Sequence, residues 1–459
     1  MTCTSTTDDG FAEAIQRYAT ETRKRLRADG VNQYADIALS DKLKYLAGDP
    51  AIRSEEDCKN NPYIWQIPPV ENGGKARVVI IGAGFGALLY AVRLIQTAGF
   101  LADDFVLIDS AWGFGGTWYW NRYPGLMCDV ESSVYMPLLE ETGYIPKHRY
   151  SYGPELRQYA ELLAEKYGFK TRALFGCTVT ETVWSEDQCR WTTTLVRKHP
   201  LQHTEETYQV RSDFIILASG PLNRPKVPRL TSLDSHTGHM FHTSRWDYAV
   251  TGGSLEDPAL NLLKRKEVAL LGTGATGVQL VPQLARWAGK LFVFQRTPSA
   301  VDVRGQQNIS PEEWHRDVTH GQKHWQQDRR DNMAAFLSGG GKRPARNLVN
   351  DGWTQFPSVS GWVGSPATES LTAANVAEYV DDLNRLDLPR QQRIRQRVDR
   401  VIHDPVDAES LSSTLWKGSA FGFGAFRGPK ISPGRSLQNR TVPLVLSLRG
   451  AGLPAASVP

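Results

Sequence analysis

Residues 77–95 read RVVIIGAGFGALLYAVRLI. Val78–Ile81 is a β-branched run suited to a buried strand, and it meets glycines before passing into a helical apolar pattern. Gly82 permits a tight turn, and Gly84, with Gly86 beside it, lets backbone approach a pyrophosphate. Ala87 stands where a third glycine often allows close helix–strand packing. Downstream, DDFVLID predicts a second strand ending at Asp109, placed to accept hydrogen bonds from a ribose. Strand, glycine turn, helix, strand and acid make a βαβ dinucleotide-binding unit, whose helix N-terminus turns free N–H groups and a positive dipole end toward phosphates.

The same grammar recurs 190 positions later as EVALLGTGATGVQLVPQLARWA followed by KLFVFQRT. Here Gly272, Thr273, Gly274, Ala275, Thr276 and Gly277 form the turn. The second strand ends in Gln295, Arg296 and Thr297, where an acid would accept an NAD ribose. A cation and a hydroxyl at that place suit a 2′-phosphate, which favours NADP(H) over NAD(H). A solvent-facing arginine after a strand is the plainer alternative. Between the two units lie a strand, DFIILASG, and a proline-rich crossover, GPLNRPKVPRL.

The expected fold is α/β, with two Rossmann-like domains, a helical N-terminal extension and a helix-rich insertion. The expected segments are the helical extension 1–70, with a stop at Gly30, and the first segment of an FAD domain, 71–235. An NADP domain with a helical insertion follows over 236–412, and then an irregular tail, 413–459. From Ser413 the chain holds six Lys/Arg and no acid, and VPLVLSL alone keeps a strand-like run. That abrupt change reads as a frameshifted or mis-spliced tail.

Bulk properties exclude several classes. A net charge of +4, from 53 basic and 49 acidic residues, gives no basic footprint for nucleic acid. Cys3, Cys58, Cys128, Cys177 and Cys189 form no CxxC or Cys/His pattern, so neither a disulfide framework nor a metal site is expected. The opening MTCTSTTDDGF has no signal-peptide character, and the apolar run 78–95 is broken by glycines and Arg93. A cytoplasmic protein with no membrane span is expected. Two nucleotide folds in one chain usually move electrons from nicotinamide to flavin. A disulfide reductase would need a cysteine pair, so reaction of reduced flavin with oxygen is what remains.

Residues 115–129, GGTWYWNRYPGLMCD, hold Gly-Gly-x-Trp, Tyr-Pro-Gly and a final Asp at the spacing that marks type I Baeyer–Villiger monooxygenases, and VESSVY extends the match to Tyr135. A second stretch, with Gly238, His242 and Trp246, resembles that family's other fingerprint, with His236 replacing its usual Phe. The long N-terminal extension, FHTSRWDY and FQRTPSAVDVRGQ are similar to fungal secondary-metabolism members of meroterpenoid type. The resemblance implies FAD and NADP(H) as cofactors, with a ketone and O2 as reactants and an ester or lactone as product.

It also implies that Thr117, Trp118, Tyr119, Trp120, Asp129, Val130 and Tyr135 line the flavin, and that Met127, Cys128 and Asp129 approach the nicotinamide nucleotide. His242 would sit on a linker that couples domain rotation to catalysis. Asp129 would position an arginine from a later loop, whose charge holds the reactive anion. No arginine is assigned to that role on sequence, neither Arg343 in GGGKRP nor Arg427 in AFRGPK. The family's later Lys-Arg-Pro segment and final Ala-Thr-Gly strand have no counterpart after residue 412. Apolar surface of the FAD domain is therefore expected to lie uncovered, with flavin retention impaired. An N-hydroxylating or general flavin monooxygenase, and a remnant without catalysis, are the alternative readings.

Overall fold

The structure, a computed structural model, describes residues 7–201, 204–231, 233–338, 344–356, 371–412, 422–423 and 444–448. The β-branched run forms strand Gly74–Ile81, which enters helix Phe85–Ala98 through the glycine turn. The helix buries Ala87, Leu88, Ala91 and Val92 completely and stops at Gly99, whose φ of 68° is the left-handed C-cap conformation that glycine adopts without strain. Strand Phe105–Ile108, buried throughout, follows in parallel register with Val78–Ile81.

These strands belong to a six-stranded sheet. Its order is Ala173–Leu174, Phe105–Ile108, Gly74–Ile81, Glu205–Leu217, Arg190–Lys198, Cys177–Ser185. The first four run parallel and the last two join antiparallel as a meander. Pairing with the meander uses 205–212 of the long strand, and residues 213–217 pair with the glycine-motif strand. Phe214 and Leu217, 55% and 75% exposed, carry apolar surface into solvent there.

A second sheet runs Lys290–Phe294, Glu267–Leu271, Leu444–Leu448, Met240–His242. The first two strands are parallel and flank helix Ala275–Trp287, which gives the second βαβ unit. From the stretch expected to be an irregular tail, Leu444–Leu448 enters this sheet antiparallel to Glu267–Leu271. That strand lies in the VPLVLSL run. Both glycine-motif units are thus α/β folds with helices on parallel strands.

The N-terminal extension, expected to be helical over 1–70, is helical only in part. Helix Thr7–Arg25 gives way to short 3-10 turns and a strand, Tyr34–Asp36, paired antiparallel with Lys226–Pro228. The cause is apolar burial: Ile37, Leu43 and Leu46 cluster with Val227, Leu233, Met240 and Leu271. Spacing set by this cluster overrides helical propensity. Farther on, helices Trp325–Leu337, Val376–Val401 and Pro405–Leu411 match the expected helix-rich stretch. Among the described residues no helix is long and apolar enough to cross a membrane, and no cluster of ligating side chains could hold a metal ion.

Two glycines test the role of the turns. A Cβ added at Gly277 would stand 2.6 Å from the Gly272 carbonyl oxygen, whereas one at Gly86 would meet nothing within 4 Å. Gly277→Ala should cost about 1–3 kcal/mol through overpacking. Gly86→Ala should be neutral or stabilise by up to about 1 kcal/mol, since alanine is the better helix former. Thermal melting of the two variants compares them directly.

Candidate active site

The first cradle is built by close approach of two glycine loops. Gly82 has φ 121°, and a Cβ there would come within 2.3 Å of the Ala218 carbonyl oxygen. Gly84 is the N-cap of the helix, with extended backbone, and its α-carbon lies 3.0 Å from where a Cβ on Gly116 would be. The GGTW loop and the GAGFGA loop therefore touch, and the tight side is Gly116, whose φ of 54° and 3.0 Å approach disfavour a side chain, whereas a Cβ on Gly84 would lie 3.5 Å from the Gly116 α-carbon. The Asp109 carboxylate accepts hydrogen bonds from the Ala83 and Ala111 backbone N–H groups at 2.8 and 2.9 Å. It sits at the turn, with burial pushing its pKa up against those bonds. A loop without side chains beside a helix N-terminus fits a dinucleotide's pyrophosphate.

The aromatic fingerprint divides into two groups. Trp118 donates its indole N–H to the Tyr135 hydroxyl at 3.0 Å, below Phe85 of the first cradle, while Thr117 is exposed and Val130 half-buried. Tyr119 and Trp120 turn to the other side. The Tyr119 hydroxyl donates to Asp49, and the Arg245 guanidinium lies 3.8 Å from the centre of the Trp120 ring. That second group binds the fingerprint to the extension and to the crossover segment.

In the second cradle Gly272 has φ 106°, Gly274 is the extended N-cap, and Gly277 packs on the Gly272 carbonyl. The Thr273 hydroxyl is buried and meets no hydrogen-bond partner among the described residues. An unmatched hydroxyl in a glycine turn at a helix N-terminus fits a phosphate oxygen or ribose hydroxyl. Its backbone carbonyl accepts from Ser299. Thr276, one turn along, lies beside the Tyr123 hydroxyl. At the end of the second strand, Gln295 donates to the Ser410 carbonyl at 2.7 Å and Thr297 is buried. Arg296 donates to the Gln33 side-chain oxygen at 2.9 Å.

Gln279 joins the two cradles. From helix Ala275–Trp287 its amide donates to the Met127 carbonyl at 3.0 Å and accepts from the Met127 N–H at 3.3 Å and the Tyr123 hydroxyl at 3.0 Å. Gly125, with φ 80°, lies so close to the same helix that a Cβ would be 3.1 Å from the Gln279 carbonyl. Met127, Cys128 and Asp129 are consequently held between the two nucleotide folds.

A buried arginine that the sequence did not single out, Arg304, lies against this loop. Buried to 7% exposure, it donates to the Cys128 carbonyl at 2.5 Å and lies 5.3 Å from the Tyr150 ring centre. Loop 304–309 is fastened to 147–150, with Arg149 N–H donating to the Gln307 carbonyl and Ile309 N–H to the Lys147 carbonyl. The next residues of that segment pair with 127–128. Asp129 is drawn two ways: burial raises its pKa and the Arg304 charge lowers it, the first being larger. Trp353 donates to the Asp129 carbonyl at 3.0 Å. The sequence signal for Arg304 was VDVRGQ directly after FQRTPSA, a loop leaving the second cradle's strand. Arg343 and Arg427, to which that role is not assigned, lie outside the described residues.

Residues 80–145 match the NAD(P)-binding Rossmann-like domain. The chain is 43% identical over 404 residues to a chermesin D/asnovolin J monooxidase of Aspergillus novofumigatus, covering 88% of this chain and 60% of that protein. It is also 43% identical to an FAD-binding monooxygenase of Aspergillus calidoustus, covering 87% and 59%. The solved structure of polycyclic ketone monooxygenase from Thermothelomyces thermophila superposes with a TM-score of 0.84 at 39% identity, over 90% of this chain and 65% of that one. The chain is thus similar, over nearly all of its own length, to FAD-binding monooxygenases and to a polycyclic ketone monooxygenase. It spans about 60% of the length of these curated relatives.

The second family fingerprint is structural in its contacts. Trp246 is 1% exposed and packs edge-on against Phe241. Gly238 lines a surface cleft with Arg53 and Asp247. The His242 ring nitrogen Nδ1 accepts from the Ser244 N–H at 3.1 Å and faces the Ser244 hydroxyl at 2.7 Å. Burial, reinforced by the Arg245 charge, lowers its pKa to about 4, so it is neutral at physiological pH and holds a fixed tautomer. A histidine that titrates lower when folded favours folding above its unfolded pKa, and that contribution is lost as pH falls from about 6.5 to about 4. The full effect is about 3 kcal/mol. His242→Asn, which keeps an acceptor near Nδ1, should flatten the acid-side decline in denaturant stability between pH 6.5 and 4.

Proposed function

We propose that the chain is an NADPH- and FAD-dependent monooxygenase that inserts one oxygen atom from O2 beside a ketone carbonyl, giving an ester or lactone. Its substrates are bulky cyclic ketones of terpenoid or meroterpenoid type. Support for this substrate class comes from the names of the relatives, one acting on polycyclic ketones and one on chermesin D or asnovolin J.

The observation that carries the reading is the burial of Arg304 beside Asp129, on a loop pinned between two glycine cradles. When bound, flavin reduced by the nicotinamide would supply the electrons that activate O2, the source of the oxygen atom inserted into the substrate. The chain's own residues do the rest. Gly82, Gly84 and Gly86 with Asp109 would hold the FAD pyrophosphate and ribose, and Trp118, Val130 and Tyr135 would flank its ring system. Gly272, Gly274 and Gly277 with Thr273 would cradle NADPH, with Ala275 and Thr276 opening the helix. Arg296, with Gln295 and Thr297 on either side, would bind its 2′-phosphate. Met127 and Cys128, fixed by Gln279, would meet the nicotinamide end. Arg304 keeps its charge in a site with little water, where a cation attracts developing negative charge on oxygen far more strongly than in bulk solvent. Asp129 orients that charge.

Purified protein is expected to show a flavin spectrum and to oxidise NADPH faster when a cyclic ketone is present, with ester or lactone found by mass spectrometry. Arg304→Ala should keep NADPH oxidation but divert it to hydrogen peroxide, lowering ester formation by about a hundredfold or more, as loss of one charge-stabilising donor does elsewhere. Asp129→Ala should show the same diversion to a lesser degree. A hydroxylamine product from an amine panel, or unchanged ester yield in Arg304→Ala, would defeat the reading.

A further inference from the structure

Strand Lys290–Phe294 delivers Arg296 to the rim of the second cradle, but its guanidinium is held from outside that domain. Nη1 donates to the Gln33 side-chain oxygen at 2.9 Å, and Nη2 reaches the Tyr34 hydroxyl at 3.4 Å. Gln33 is only 7% exposed. Its amide nitrogen donates to the Gly30 carbonyl at 2.7 Å, which fixes the oxygen toward Arg296. The backbone is fixed too: Arg229 N–H donates to the Gln33 carbonyl at 2.9 Å, the Arg229 side chain to the Tyr34 carbonyl, and Tyr34–Asp36 pairs with Lys226–Pro228.

An independent observation ties the extension to the same rim. Its apolar cluster of Ile37, Leu43 and Leu46 covers Leu271, with Phe294 packed against it. These are the last residues of the two strands whose ends form the cradle. Gln33 and Tyr34 are neutral, so neither discharges the guanidinium. They fix the plane of a fork whose donors match a phosphate only when oriented.

We propose that Gln33 and Tyr34 are positioning residues that aim Arg296 at the adenosine 2′-phosphate, making the N-terminal extension the determinant of NADPH over NADH. This rests on the reading of Arg296 given above. A flexible arginine must lose rotamer freedom when it binds, and the extension removes that freedom beforehand.

The test is calorimetric titration of the full chain with 2′,5′-ADP and with 5′-AMP, which differ by the 2′-phosphate alone. Gln33→Ala should weaken 2′,5′-ADP about tenfold, the scale of one charge-assisted contact, and leave 5′-AMP within about twofold. Gln33→Glu, nearly isosteric, should weaken it at least as far because a carboxylate neutralises the fork, and it keeps the test alive if the alanine variant does not fold. Tyr34→Phe should give a smaller loss, since its bond is longer. In steady state the KM for NADPH should rise while the KM for NADH and kcat stay put. If Arg296→Ala abolishes the preference and the Gln33 variants do not change it, the role of the extension is overturned and the site reading survives. Should Arg296→Ala leave the preference intact as well, both fall.

Discussion

A single amide, Gln279, satisfies both backbone polar groups of Met127 and also the Tyr123 hydroxyl. Because it projects from the helix that starts at the second glycine turn, it fixes a loop of the first domain to the phosphate end of the second. The distance between the two nucleotide folds is thereby tied to side-chain geometry within one hydrogen bond's tolerance. Everything that needs both cofactors at once depends on that link: the placement of Asp129, the approach of loop 304–309, and the burial of Arg304. Removing one partner would leave buried backbone groups unpaired, which costs more than the bond itself contributes.

Buried charge around this loop serves position more than stability. Glu131, two residues past Asp129, takes a hydrogen-bonded ion pair from Arg329 at 2.6 Å and a second from Arg149 at 3.2 Å. Arg329 belongs to helix Trp325–Leu337, and Arg149 also reaches the Val349 carbonyl, so two separate segments converge on one carboxylate and a third is tied in through Arg149. Desolvation largely offsets the attraction in such clusters, but any displacement leaves a charge uncompensated. Arg245 follows the same logic on the opposite side, where burial lowers its pKa to about 10 and its plane lies against Trp120. Tyr119 and Trp120 each have a guanidinium over the ring, while Trp118, Tyr119, Trp120 and Tyr123 all pack within the buried apolar core.

The uncovered apolar surface of the first sheet has a clear position. Phe214 and Leu217 lie where the long strand has passed the end of the meander and, among the described residues, pairs with Gly74–Ile81 alone. The strand Leu444–Leu448 does not lie here, because it pairs in the other sheet, between Glu267–Leu271 and Met240–His242.

Local chemistry alone determined both cradles. Glycine spacing, β-branched runs and the residue closing each second strand act within a few positions of one another, so GAGFGA and GTGATG declare their turns without tertiary help. The fingerprint 115–129 was legible through its resemblance to a known family pattern. What the chain could not show in one dimension was contact between distant segments. Gln279 against Met127, Arg304 against Cys128, and Gln33 against Arg296 are separated by 152, 176 and 263 positions. The extension's fold, helical by local pattern, was decided by burial of Ile37, Leu43 and Leu46 against strands far along the chain. Propensity is read from neighbours in sequence, whereas burial and charge compensation depend on neighbours in space, and those exist only once the two sheets have packed.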